Sequence, residues 1–150
     1  MRPAWVGVAL LVGCAPPEPP ETTSLEPAIR IAYPPRDVQT VELQPDGSLE
    51  MLVVVDIDNL TLTSPYVEGI ELVDGQGHWH ATLGNVEGYQ ASFEPSLVFT
   101  RDAADVSPGI TRLTVSIQSN LHDDLDEFTN WQSSIEFELV PFVAPADTGP

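Results

Sequence analysis

Between about residues 27 and 142 the chain runs as short apolar segments separated by turn residues, and in several of them apolar and polar side chains alternate one for one. Leu49, Met51, Val53, Val55 and Ile57 take every second place in one segment, Leu113, Val115 and Ile117 in another, and Ile135, Phe137 and Leu139 in a third. Successive side chains of a strand point to opposite faces, so a period of two describes strands that bury one side. No stretch sustains a 3.6-residue period. The pattern predicts strands at Ala28–Tyr33, Val38–Leu43, Ser48–Ile57, Val67–Val73, His78–Leu83, Tyr89–Phe93, Leu97–Thr100, Ile110–Gln118 and Ser133–Val140. Between the second and third, Gln44-Pro45-Asp46-Gly47 has the chemistry of a tight reversal: a proline that presets φ, then Asp-Gly.

Roughly seven to nine strands in about 115 residues make the chain all-β and fit an antiparallel two-sheet immunoglobulin-like sandwich better than a barrel. A jelly roll is the nearest competitor. The segments outside this core have a different character. Ala15-Pro16-Pro17-Glu18-Pro19-Pro20-Glu21 has no periodicity and almost nothing to bury, and reads as a stiff tether over residues 14–26, extended at about 3.1 Å per residue. Residues 143–150 are similar and are expected to be a disordered tail.

The first residues carry one charge, Arg2, followed by the apolar stretch Ala4–Gly13 and then the chain's one cysteine, Cys14. Ten residues of helix rise only about 15 Å, against the roughly 20 residues that a membrane span needs. The segment therefore reads as a cleaved secretory signal over residues 1–13. Its end, Leu11-Val12-Gly13-Cys14, resembles the lipobox of bacterial lipoproteins. The resemblance implies that Cys14 becomes the first residue of the mature protein and carries a thioether-linked diacylglycerol and an amide-linked acyl chain. Anchoring by two or three chains is effectively permanent. In the lipoprotein sorting rule Ala15, in place of an aspartate, implies passage to the outer membrane of the cell envelope.

Charge narrows the partners. The formal net charge is −18, with 23 acidic residues against 5 basic ones, all of them arginine: Arg2, Arg30, Arg36, Arg101 and Arg112. Removal of residues 1–13 takes away Arg2 and no acid, leaving the domain one unit more negative. Such a surface repels nucleic acid and anionic headgroups, so no nucleic-acid partner is expected. Apart from the membrane reached through the lipid anchor, the partners expected are cations, basic protein surfaces or neutral ligands. With its one cysteine committed to lipid, the domain has no disulfide and is held by packing.

Chemistry is hinted at by the three histidines, which fall in Gly77-His78-Trp79-His80 and Asn120-Leu121-His122-Asp123-Asp124. On a strand Trp79, Ala81 and Leu83 share one face and His78, His80 and Thr82 the other. Apolar residues claim the interior, so the two histidines are expected outside. The same alternation continued from Leu113, Val115 and Ile117 places Asn120 and His122 outward as well. If the two strands are neighbours, all three imidazoles share one exposed face. Histidines two apart on a strand lie about 6.6 Å apart along the chain, within reach of one ion together with a third ring. His78, His80 and His122 are accordingly a candidate zinc or copper site, with Asp123, Asp124 and Asp126 available as an oxygen ligand or to orient a ring. A polar hydrogen-bonded network and unconnected surface histidines are the other readings of the cluster.

Gly77-His78-Trp79-His80, Gly109, the strand Leu113–Ile117 and Asn120-Leu121-His122 together resemble a group of exported bacterial immunoglobulin-like domains. The likeness covers roughly residues 70–125. It implies a sandwich in which the two histidine strands pair, and it implies no activity. This chain has Leu83-Gly84-Asn85 where those domains commonly have an aspartate-glycine turn.

Asp56-Ile57-Asp58-Asn59 and the acidic run Asp123–Glu127 are oxygen-rich but lack EF-hand spacing, and read as solvated loops sooner than calcium sites. Ser96, Ser107 and Ser116 lack a Gly-x-Ser-x-Gly setting, and no nucleophile has a supporting base. The expectation is a lipid-anchored binding or display module of the cell envelope without catalysis. The alternative is a copper- or zinc-binding protein, a carrier or a hydrolase, built on a three-histidine surface site.

Overall fold

The computed structural model describes residues 25–64, 75–84, 86–120, 126 and 128–145. Cys14, the tether up to residue 24, the expected strand Val67–Val73, His122 and residues 146–150 lie outside the described residues. Among the described residues the chain forms nine strands and no helix: β1 (Ala28–Tyr33), β2 (Thr40–Glu42), β3 (Leu49–Asp58), β4 (Thr61–Leu62), β5 (Gln76–Leu83), β6 (Gln90–Ser92), β7 (Ser96–Arg101), β8 (Gly109–Ser119) and β9 (Gln132–Val140).

They form two sheets. One is three-stranded in the order β1-β3-β7, and the other runs β2-β9-β8-β5-β4 with β6 also on β5. In immunoglobulin terms β1, β3 and β7 stand as strands A, B and E, facing β5, β8 and β9 as C, F and G. β1 and β2 split the first strand between the sheets. Two pairings depart from the antiparallel expectation: β2 runs parallel to β9, and β4 runs parallel to β5. The Gln44–Ser48 turn forms as expected, with Gly47 N donating to Gln44 O at 2.8 Å and Gly47 at φ 86°. It carries the chain across from one sheet to the other instead of closing a hairpin, because β2 pairs with β9 and β3 with β1 and β7.

The alternation explains the core. Ile29 and Ile31 of β1, Leu49, Met51, Val53 and Val55 of β3, and Phe99 of β7 face Trp79, Ala81 and Leu83 of β5, Leu113, Val115 and Ile117 of β8, and Ile135, Phe137 and Leu139 of β9. Each such large side chain contributes about 1.5–3 kcal/mol on leaving water. The indole of the buried Trp79 keeps its polar end satisfied by donating Nε1–H to Glu94 O at 2.7 Å. β2 is shorter than the expected Val38–Leu43 because Val38 N is taken by Pro35 O in a turn. The C-terminal segment begins tied down: Val143 N donates to Glu42 Oε1 at 2.7 Å.

Candidate functional site

β5 and β8 are neighbours, as the histidine motifs implied, with Trp79 opposite Ile117, His78 opposite Gln118 and His80 opposite Ser116. Gly77 permits the close approach. A Cβ there would overlap the backbone carbonyl oxygen of Gln118, so no larger residue keeps this register. Trp79, Ala81 and Leu83 fill the core and fix His78, His80 and Thr82 on the outer face of the sheet.

The outer face is not a solvent face at this point. His78 is 0% exposed and His80 8%, so the expectation of surface histidines is corrected. Part of the cover comes from the neighbouring short strand. With His80 opposite Ala91 and Trp79 opposite Ser92, the alternation of β6 turns Tyr89, Ala91 and Phe93 to the same side as the histidines. Tyr89 stacks on His80 with ring centroids 3.8 Å apart and planes 13° from parallel. Phe93 lies tilted beside His78 at 5.6 Å. From the other side Gln118, also buried, holds Ser116 through a 3.5 Å contact from Nε2 to Oγ. The sheet thus carries a second, polar-aromatic cluster on its outer side.

Within it His78 Nε2 and His80 Nε2 stand 3.0 Å apart. One of the two donates and the other accepts, since a neutral imidazole has one N–H. At the adjoining end of the sheet Asn120 Nδ2 donates to Thr63 Oγ1 at 3.0 Å and Thr63 N donates to Gly77 O at 2.8 Å, which ties the segment after β4 to both histidine strands. His122, the third expected ligand, lies outside the described residues, as do Asp123 and Asp124. Among the described residues no group of three His, Cys, Asp or Glu side chains is placed to hold a metal ion.

The other oxygen-rich candidate is spent. Asp56 and Asp58 flank Arg30, whose Nη2 is 4.0 and 3.6 Å from their carboxylates, all on the solvated face of the three-stranded sheet.

No protein-family model matches the chain, and no curated protein matches it. Among solved structures it is similar to the solution structure of the PKD domain (329–428) of human KIAA0319, at 14% identity and a TM-score of 0.38, over 91% of this chain and 100% of that one.

Proposed function

We propose that the protein is a lipid-anchored cell-envelope module, held by Cys14 and displaying its sandwich on a proline-rich tether, that binds a cationic or basic partner without catalysis. The observation that carries the reading is how the arginines are used. Arg30 is engaged by Asp56 and Asp58, and Arg112 Nη2 by Glu136 at 3.3 Å. Arg101 lies over the Phe99 ring and donates to the Thr100 and Gly88 carbonyls. Two of the arginines are thus paired with carboxylates and a third is held by a ring and by carbonyls, and with 23 acidic residues against 5 basic ones the excess of carboxylates governs what the surface attracts. On the expectation of an extended proline-rich tether, about ten residues would set that surface about 30 Å from the membrane.

Growth of cells with a radioactive fatty acid tests the anchor. Label on the wild-type protein and none on Cys14→Ser is expected, and equal labelling of the two would overturn the anchored reading.

A further inference from the structure

We propose that His78 and His80 are a binding site for a copper(II) ion, held in adjacent coordination positions by the two Nε2 atoms; this goes beyond the display reading and does not depend on the anchor. The argument begins with convergence. Both rings are buried on one strand face, and their Nε2 atoms meet at 3.0 Å, so one electrophile, a proton or a metal ion, is shared between two lone-pair positions. For a metal–nitrogen bond of about 2.05 Å, that separation subtends an angle of about 94° at the ion. Tetragonal copper(II) asks for about 90° between neighbouring ligands, an arrangement that two nitrogens this close can meet. Imidazole suits copper, and copper(II) stands at the top of the divalent affinity order.

The surroundings supply what such a site needs. The rings are set by the backbone: Gly77 lets β5 close onto β8, and Trp79 pins the strand from the core side. Opposite His78 stands the buried Gln118, whose amide oxygen is of a type able to serve as a further ligand. Both protein nitrogens are neutral, so the bound ion keeps its charge, and a chain of net charge −18 favours its entry. The way in passes Tyr89. Its ring covers His80 yet is 51% exposed, and it follows Gly88, whose φ of 87° marks a backbone position free of side-chain constraint.

The test uses the full chain carrying Cys14→Ser, so that no thiol competes, stripped with chelator and dialysed against copper sulfate. About one equivalent of copper is expected to remain, with an electron paramagnetic resonance spectrum showing two coupled nitrogens and a Tm raised by several degrees. His80→Gln, checked for an unchanged circular dichroism spectrum, should lose at least 90% of the bound copper and the Tm rise. A wild-type site that retains no copper, a spectrum with fewer than two nitrogens, or undiminished copper in folded His80→Gln would each overturn the site; in the first case the 3.0 Å contact is a proton-sharing hydrogen bond.

Discussion

Gly77 and Gln118 meet across β5 and β8 at a distance that leaves no room for a side chain on the glycine. The obstacle is backbone, which gives way only if the two strands part. Gly77→Ala should therefore destabilise the fold by about 1–3 kcal/mol, the usual cost of overpacking, seen as a lower urea midpoint at unchanged slope. The same displacement falls on the residue before His78, so the histidine ring resonances should shift as well. A midpoint equal to wild type would show that the strands absorb the methyl without strain.

Trp79 joins the core to the loop after β6, because its ring is fully buried while its Nε1–H reaches Glu94 O. Trp79→Ala should cost about 3–5 kcal/mol, a large part of the 5–15 kcal/mol by which such domains are stable. Trp79→Phe should cost less, about 1–2 kcal/mol, since most of the ring volume is kept and the Ser92 hydroxyl, placed between the Glu94 and Ser96 carbonyls at 3.1 and 3.2 Å, is within reach of the one left behind. Chemical denaturation of both variants checks the order. Equal losses would mean that the hydrogen bond and not the ring volume dominates.

The strands readable from the sequence are those with an unbroken period of two and a full apolar face. β1 has the expected bounds, β3 and β8 differ from expectation by one residue at each end, and β9 by one residue at its start. β4, at two residues, is too short to carry a period, and the alternation holds no sign of it. The parallel pairings of β2 with β9 and β4 with β5 depend on which distant strand lies alongside, and local alternation holds no record of that. The histidines show the same division. Their side of the sheet follows from Trp79, Ala81 and Leu83, but their burial depends in part on Tyr89 and Phe93, the residues that flank β6. The alternation of Tyr89, Ala91 and Phe93 was visible; that it would lie against His78 and His80 was not.

The turn at Asp46 offers a pH-dependent element. Its carboxylate accepts from Ser48 Oγ at 2.6 Å and from Ser48 N at 3.0 Å, and these bonds hold its pKa below the ordinary 3.8. A lowered folded pKa means that the unfolded chain takes up the proton first as pH falls. The contribution is therefore present above the ordinary carboxylate value and disappears as pH drops through the folded one. The stability difference between wild type and Asp46→Ala should be constant from neutral pH to about pH 5 and shrink below about pH 4. A difference that grows on acidification would contradict the assignment.

Charge repulsion should be the term that salt relieves. With 23 acidic residues against 5 basic ones, like-charge contacts outnumber attractive ones. The pairs Arg30 with Asp56 and Asp58, and Arg112 with Glu136, are solvent-exposed and contribute about 0–1 kcal/mol each. Raising sodium chloride from about 0.02 to 0.5 M shortens the screening length from about 20 to about 4 Å. That weakens the few attractions and the many repulsions together, and the repulsions are more numerous and longer in range. Tm should therefore rise with salt in a thermal melt at pH 7. Arg112→Ala, which adds one unit of net negative charge, should make the rise steeper. A Tm that falls as salt is added would mean that the two arginine clusters outweigh the acidic surface, and that the surface is less repulsive than its composition implies.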